Sequence, residues 1–457
     1  MKMIKLLTAS MLAMLALNVA SAQTEIRFTG STAFRKATVN SIENILQAGY
    51  VWGSTTGTGA GANQQVFVGT TKTTNVQVII KCSWSGSAGG VQSLAAGIAA
   101  GQPFIIDPVV TSYSTPAATV GGIALSTITA TPNGANIPSG DITESHIPDV
   151  ALSDAFASTT PFTGAGFAPL TDTVVGIVPF EFVKSAYTPD GTLGSAVPGG
   201  YPGVANISGV QAQELLGGGL ALNQFTGNPS DQAIFVQTIG RDHDSGTRIA
   251  TIYDSQYGNY SSPVLQNIAN GQTVGATQFA SQSAGSGVIS TLAPWPVETV
   301  LGENRAAGNE GFFSGSNVAT TLTRPVDVTQ GNYLISYVGM SDASSVNPGT
   351  GVSGSDGAGN PFTYAPSQNA LTLDGYYPGT AAHPFAPPYT NLEQGIYTFW
   401  GYEHYLYLSS LGAGNLKTVA NQVATQLTTE ANFGGFGDLL SNMNASRLTD
   451  GAAVTSP

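Results

Sequence analysis

The chain of 457 residues contains a single cysteine, and only 9% of its residues are charged. One cysteine, Cys82, excludes a disulfide within the chain. It ends the apolar run VIIKC at 78–82, which predicts a buried structural thiol on a strand. Lysine and arginine number 14 against 27 acidic residues, for a formal net charge of −13. This balance disfavours nucleic-acid binding, because affinity for a phosphate backbone depends on Lys and Arg.

The sequence has one long apolar stretch, near its beginning. Lys2 and Lys5 precede a mostly apolar segment at 6–19, and Ala-Ser-Ala at 20–22 has the pattern of a signal-peptide cleavage site. Residues 1–22 therefore predict a secretory signal peptide. Because no cysteine directly follows the cleavage site, a lipid anchor is not expected, and no later stretch is long and apolar enough to span a bilayer. We expect an exported, soluble protein, periplasmic in the simplest case.

Strand-like and helix-like segments alternate along the remaining chain, which predicts an α/β fold. Strands are expected near residues 25–28 (as an edge strand), 75–82, 150–154, 173–182, 234–239 and 333–339. Helices are expected near residues 39–48, 91–100, 204–216, 397–408 and 416–433. The aromatic run at 397–405 is interpreted as helical core packing. Residues 101–147 are rich in Thr, Pro and Gly, which predicts an insertion with some β structure.

The run RDHDSGT at 241–247 follows one of these strands and precedes a helix-like segment. Ser245 and Thr247 would then stand where a helix begins, and free backbone N–H groups at such a position attract anions. Arg241 could offer its planar guanidinium to the same anion. A plain helix N-cap would use the same Ser-Gly-Thr residues. His243, between two acids, is interpreted as a solvated loop residue rather than a metal ligand or catalytic base.

Two other strand-to-helix junctions have the same composition. They are GSTAF at 30–34 and GSAGG at 86–90. Asp154 adds an isolated carboxylate at the end of another strand. Three hydroxyl-rich junctions and one acid in a single α/β chain predict a shared site for a tetrahedral oxyanion.

These segments, in this order, resemble those of the periplasmic phosphate-binding proteins of phosphate ABC importers. That family has a Gly-rich Thr/Phe loop, a Ser-x-Gly-Gly loop, a Ser-Asp strand end and an Arg-x-x-x-Ser-Gly-Thr loop. The residues matching the family's binding motifs are Thr32, Phe34, Ser87, Asp154, Arg241, Ser245, Gly246 and Thr247. The resemblance covers about half of the mature chain, and the segment at 241–247 is its most specific part.

The resemblance implies a role for each matching residue. Arg241 would pair two phosphate oxygens, while Ser87, Ser245 and Thr247 would donate hydroxyl hydrogen bonds. Backbone N–H groups at Phe34, Ser87, Gly246 and Thr247 would complete the donor set. Asp154 would accept a hydrogen bond only from an anion that still carries a proton, which selects phosphate against sulfate. No cofactor or metal is expected.

The chain also departs from the family pattern. A long insertion separates Ser87 from Asp154, and Ala33 stands between Thr32 and Phe34. The acidic residues between Arg241 and Ser245 are shifted by one position relative to the family's Arg-x-Asp-x-Ser.

The resemblance further implies a two-domain, periplasmic-binding-protein-like fold that closes on a hinge around its ligand. Domain I is expected over 23–172 and 333–457, with the insertion at about 101–147, and domain II over 173–332. The expected function is non-enzymatic capture of inorganic phosphate for an ABC permease, by a monomer that binds no nucleic acid. The alternatives are another protonated oxyanion such as arsenate, or an exported surface or matrix protein that no longer takes part in transport. A secreted phosphohydrolase is disfavoured, because no clustered metal ligands stand out.

Overall fold

The structure is a computed structural model that describes most of the chain. The described residues are 23–55, 61–127, 134–138, 142–186, 203–258, 263–268, 288–300, 303–326, 331–346, 348–349, 351–355, 361–429, 433 and 436–455. The predicted signal peptide, residues 1–22, lies outside them. Within these ranges, no helix combines the length and the apolar character that crossing a membrane requires.

Strands and helices alternate along the chain as the sequence predicts. The strands are β1 (Thr24–Gly30), β2 (Val51–Ser54), β3 (Gln64–Thr70), β4 (Gln77–Ser83), β5 (Phe104–Ile105), β6 (Val109–Ser112), β7 (Ala117–Val120), β8 (Ile123–Ala124), β9 (Ser126–Thr127), β10 (Ala135–Asn136), β11 (Thr143–Glu144), β12 (Val150–Ser153), β13 (Leu170–Lys184), β14 (Asn206–Ile207), β15 (Leu220–Ala221), β16 (Phe235–Gln237), β17 (Gln266–Ile268), β18 (Leu292–Pro294), β19 (Glu298–Val300), β20 (Glu303–Arg305), β21 (Asn332–Gly339), β22 (Val352–Ser355), β23 (Pro361–Tyr364), β24 (Thr372–Leu373) and β25 (Trp400–Leu408). The helices are α1 (Arg35–Ile45), α2 (Ser87–Ala96), α3 (Gly209–Leu216), α4 (Asn223–Thr226), α5 (Gly246–Asp254), α6 (Gly315–Leu322), α7 (Met340–Ala343), α8 (Thr390–Glu393) and α9 (Asn415–Leu427).

A large mixed sheet organises the molecule, so the chain has an α/β fold. The strands lie side by side in the order β10-β2-β3-β4-β1-β12-β25-β13-β21-β16-β15, and β9 pairs with β2. β1 runs parallel to both β4 and β12, and β16 runs parallel to β21. The carboxyl ends of β1, β4 and β12 therefore lie at one edge of the sheet, which is where ligands of such folds gather.

The long strand β13 joins the two sides of this sheet. Its residues 170–179 pair with β25, and its residues 180–184 pair with β21. A register shift between Val174 and Gly176 interrupts the first ladder. Both sides of the sheet contribute to one large apolar core, which includes Phe28 and Leu152 on one side and Tyr337 and Ile239 on the other.

Two secondary-structure predictions are wrong. The strand predicted near residues 25–28 is central rather than an edge strand, because it pairs on both sides. Its charged side chains pair with one another and with β4, since Glu25 forms ion pairs with Arg27 at 2.7 Å and with Lys81 at 2.9 Å. The aromatic run predicted as a helix is the strand β25. That strand is covered on both faces, so its sequence lacks the alternation that marks a half-exposed strand.

The helices at the junctions begin earlier than their apolar pattern predicts. α1 begins at residue 35 rather than 39, and α2 at 87 rather than 91. The first turn of each helix consists of small or polar residues, so it lacks the spacing of apolar side chains from which a helix is predicted. As a result, the hydroxyl-rich junction residues stand directly at the helix N-termini.

The prediction of a buried structural thiol at Cys82 is confirmed, and it has a measurable consequence. The side chain is fully buried on β4, and burial raises the pKa of the thiol well above its usual range. Since only the thiolate reacts readily, we expect no alkylation of the folded protein by iodoacetamide and complete alkylation after denaturation. Mass spectrometry would check this, and rapid labelling of the folded protein would contradict it.

Candidate functional site

Three strand-to-helix junctions meet at the carboxyl edge of the sheet. The N–H of Gly86 donates to the carbonyl of Gly30 at 3.0 Å, which joins the loops after β4 and β1. The N–H of Ala88 donates to the carbonyl of Asp244 at 2.9 Å, which joins the start of α2 to the loop before α5. The three junctions singled out from the sequence are therefore neighbours in space.

Asp154 stands at the centre of this meeting point. It directly follows β12, and its carboxylate accepts hydrogen bonds from the hydroxyl of Ser87 and, at 3.0 Å, from the hydroxyl of Thr247. Burial raises the pKa of Asp154, although the Ser87 hydrogen bond and the positive charge of Arg241 oppose the increase. One carboxylate thus binds hydroxyl groups from two different helices, α2 and α5.

Gly246 is confined by the same carboxylate. A Cβ atom at this position would lie 1.9 Å from Oδ1 of Asp154 and 2.6 Å from Oγ of Ser87. Real contacts of a Cβ atom are never this short, so a side chain here would force the walls of the site apart. The backbone at the start of α5 can approach the two side chains only because this residue is glycine.

Ser245 is the N-cap of α5, as the plain helix-cap interpretation of this motif requires. Its hydroxyl accepts a hydrogen bond from the N–H of Arg248 at 3.3 Å. Gly246 and Thr247 occupy the first turn, where backbone N–H groups have no carbonyl of the same helix to bind. The Ser245 side chain is therefore used for capping, while the two following N–H groups belong to the positive end of the helix.

Arg241 is buried beside these groups and is fixed by backbone carbonyls. Its Nε donates to the carbonyl of Phe312 at 3.2 Å, and its Nη2 donates to the carbonyl of Phe313 at 2.9 Å. Nη2 also donates to the hydroxyl of Thr32 at 3.2 Å. A guanidinium has five N–H donors, so the two on Nη1 are not used by these contacts. Arg241 is thus held in one orientation and connects the loops at 32 and 312–313.

Phe34 is positioned differently from the polar site residues. Its ring packs edge-on against Phe433, with centroids 5.1 Å apart, and its N–H donates to the hydroxyl of Ser31 at 3.3 Å. Phe34 precedes α1 directly, so its predicted role as a backbone donor would require this hydrogen bond to be exchanged.

The interpretation of His243 as a solvated residue is wrong. Its side chain is only 5% exposed, and its N–H donates to Glu310 at 3.0 Å. The loop that carries it is packed beneath the segment at 309–313, since the N–H of Asp242 binds the carbonyl of Phe312 at 2.9 Å. A short polar loop in the sequence gives no indication of a second segment that covers it.

Three charged residues near the site escaped the sequence analysis. Glu403 on β25 is fully buried, and burial together with the negative charge of Asp154 raises its pKa well above the usual range. Arg35 begins α1, and Asp342 lies in α7 after β21. The charges of Arg35, Asp342 and Arg241 interact, since Arg241 and Arg35 both act to lower the pKa of Asp342, and Asp342 acts to raise the pKa of Arg35. The sequence signal for Glu403 is hidden in the aromatic run. Arg35 directly follows the junction at 30–34, whereas Asp342 comes near Arg35 and Arg241 only through the folding of a distant segment.

The comparisons with known proteins give results only at the level of structure. No protein-family model matches the chain, and no curated protein sequence matches it. Several solved structures align with most of the chain at low sequence identity.

One of them is a protein from Clostridium perfringens, assigned as a phosphate ABC transporter substrate-binding protein and solved with bound phosphate. It is 10% identical, with 90% of this chain and 98% of that chain covered and a TM-score of 0.41. An ABC-type phosphate transport receptor from Vibrio cholerae is 10% identical, covers 88% and 96% and has a TM-score of 0.38. A phosphate-binding protein from Stenotrophomonas maltophilia is 12% identical, covers 95% and 87% and has a TM-score of 0.31. The chain is similar to these phosphate-binding proteins, at low sequence identity.

Proposed function

We propose that this chain binds inorganic phosphate at the site around Asp154 and delivers it to an ABC permease, without enzymatic activity. The observation that carries the proposal is the convergence of an arginine, two hydroxyl groups and a helix N-terminus on one buried carboxylate. The arginine, the hydroxyl groups and the first-turn N–H groups of α5 are donors that suit the oxygens of a tetrahedral anion. Asp154 supplies a hydrogen-bond acceptor, which can bind only an anion that still carries a proton.

Asp154 gives the site its selectivity in this proposal. Near neutral pH, phosphate still carries at least one proton and can donate it to the carboxylate, whereas sulfate carries none. Sulfate would place two unshared negative charges side by side in a buried site, where Coulomb repulsion is poorly screened. Phosphate would also replace Asp154 as the acceptor for the hydroxyl groups of Ser87 and Thr247.

The hinge belongs to this proposal as well. Domain I would comprise residues 23–172 and 333–457, and domain II residues 173–332. β13 runs from one side of the sheet to the other, and its register shift near Val174 offers a place where the two sides could rotate. Opening would separate Arg241 and the N-terminus of α5 from Ser87 and Asp154, and closure would restore the contact between Thr247 and Asp154. The proposed protein is an exported monomer that acts outside the inner membrane.

Titration calorimetry of the phosphate-stripped chain with phosphate and with sulfate tests the proposal. We expect phosphate binding with a Kd of about 1 μM or below and no measurable heat with sulfate. Asp154→Asn is expected to weaken phosphate binding by about tenfold and to permit sulfate binding, because the amide cannot repel a second anion and can donate to it. The site would then discriminate between the two anions far less.

Asp107→Asn is the control for the loss of one carboxylate charge, because Asp107 is mostly exposed and pairs with Lys81, which is not one of the predicted site residues. Its phosphate and sulfate titrations should equal those of the unaltered chain. No binding of either anion by the folded protein would refute the proposal and favour an exported surface or matrix role. Equal binding of arsenate and phosphate would support the same site with a broader choice of protonated oxyanions.

A further inference from the structure

A small cavity with both polar and apolar lining residues shares Thr32 with the proposed phosphate site. It has a volume of about 90 Å³, and its lining includes Thr32, Arg35, Lys36, Ser341 and Asp342. These residues come from the start of α1 and from α7, two segments far apart in the chain. The sequence analysis assigned none of them except Thr32 to a ligand.

Thr32 connects this cavity to the proposed phosphate site. Its hydroxyl lines the cavity and accepts the 3.2 Å hydrogen bond from Nη2 of Arg241. The charge of Arg241 acts on the carboxylates of both Asp154 and Asp342. One guanidinium thus acts electrostatically on the acid of the first site and on the acid of the cavity.

The cavity has more positive than negative charge. Arg35 donates from Nη1 to the amide oxygen of Asn63 at 2.9 Å, and Nζ of Lys36 lies 5.0 Å from the centroid of the Phe436 ring. Among the described residues, neither cation forms an ion pair within 4.0 Å. Burial lowers the pKa of Arg35 only to about 10, so its guanidinium remains protonated at neutral pH.

Asp342 does not cancel this surplus. Its carboxylate is packed against the beginning of α6, where a Cβ on Gly315 would lie 2.0 Å from Oδ2. Burial raises the pKa of Asp342, while Arg241 and Arg35 oppose the increase. The positive end of a helix and two arginines therefore surround this carboxylate.

The size of the cavity suits one phosphoryl group. An engineered cavity of ~150 Å³ holds benzene, which has six heavy atoms. By that ratio, a volume of about 90 Å³ accommodates roughly four heavy atoms, the number in a PO₃ group. Hydroxyl groups and two cations are the groups that bind phosphoryl oxygens.

We propose that the cavity at Thr32, Arg35 and Lys36 is a second phosphoryl subsite, so that the protein binds inorganic diphosphate as well as orthophosphate. This inference rests on the proposed function, because the first phosphoryl group would occupy the site around Asp154 and Arg241. The bridging oxygen would lie near Thr32, and the second phosphoryl group would contact Arg35 and Lys36. No bond is made or broken.

Calorimetry with orthophosphate and with orthophosphate-free inorganic diphosphate tests the subsite on the unaltered chain, Arg35→Ala, Lys36→Ala and Lys72→Ala. Lys72 is an exposed lysine of the same charge whose Nζ binds the carbonyl of Asn44, so Lys72→Ala is the matched control. We expect one diphosphate per chain, displaced by orthophosphate. Arg35→Ala and Lys36→Ala should each weaken diphosphate binding by about tenfold and change orthophosphate binding by less than about threefold.

Each other result has a distinct meaning. Binding of orthophosphate without diphosphate would overturn the subsite and leave the proposed function intact. Equal weakening of both ligands by Arg35→Ala would also overturn it, since these cations would then serve one shared site. Binding of neither ligand would remove the proposed function and the subsite together. Arg35→Lys, with its unfolding temperature measured, covers the case in which Arg35→Ala fails to fold.

Discussion

Arg241→Ala is expected to weaken phosphate binding by about 10²- to 10⁴-fold. The positive charge of the guanidinium acts on Asp154 in the structure and would bind phosphate in the proposed complex. Each hydrogen bond from a charged donor is worth roughly 1.5–3 kcal/mol, and the two donors on Nη1 would both be lost. Since about 1.4 kcal/mol corresponds to a factor of ten, two such bonds give the stated range.

Because Arg241 is fixed in one orientation, we expect its contribution to phosphate affinity to depend on the planar, two-donor geometry of the guanidinium. Its Nε and Nη2 are already bound to the carbonyls of Phe312 and Phe313, so the Nη1 edge has one direction in which to point. Arg241→Lys would keep the charge and lose this geometry. We expect it to bind phosphate more weakly than the unaltered chain and more tightly than Arg241→Ala.

Calorimetry on both variants checks this prediction, with Lys72→Ala as the control for loss of one positive charge. Arg241→Ala and Lys72→Ala each remove one positive charge, and salt screens the long-range effect of that change beyond about 8–10 Å. Circular dichroism and a thermal unfolding curve must accompany each titration, because Arg241 also holds two buried carbonyls. Phosphate affinity within threefold of the unaltered chain in a folded Arg241→Ala protein would exclude Arg241 from the site.

The parts of the site that the sequence could predict are those with local causes. Gly, Ser and Thr between an apolar strand and a helix favour an N-terminal junction wherever they occur, and all three such junctions are present in the structure. Parallel β1, β4 and β12 then place two of the junctions and Asp154 at one edge, and the third junction, which follows β16, meets them through the hydrogen bond from Ala88 to Asp244. The composition of short segments and one topological rule were sufficient for this part.

The remainder depends on contacts between distant segments. Asp342 reaches the neighbourhood of Arg35 because β21 lies beside β13, a pairing that no local pattern indicates. Glu403 was assigned to a helix, since a strand buried on both faces has no alternation to distinguish it. His243 was expected in solvent, because its cover is supplied by a loop near residue 310. Local composition predicts where a residue stands in its own element and says little about what will pack against it.

Gly246→Ala isolates one such packing constraint. The added methyl carbon would lie 1.9 Å from Oδ1 of Asp154, so the start of α5 and the end of β12 must separate. Overpacking of this kind lowers the free energy of unfolding by about 1–3 kcal/mol. Displacement of binding groups by about 1 Å weakens a preorganised site by roughly 10²-fold, and we expect that loss in phosphate affinity.

Gly209→Ala is a close control, because Gly209 is likewise the first residue of a helix after a serine N-cap. A Cβ there would meet only Oδ2 of Asp374, at 3.8 Å, which is an ordinary contact. Alanine is the better helix former by up to about 1 kcal/mol, so Gly209→Ala should leave stability unchanged or raise it and leave phosphate binding intact. Denaturant unfolding and calorimetry on both variants separate helix propensity from crowding at the site.

If Gly246→Ala behaved like Gly209→Ala in both measurements, the close approach of α5 to Asp154 would not exist in solution. The two walls of the proposed phosphate site would then be further apart, and direct pairing of Thr247 with Asp154 would have to be abandoned.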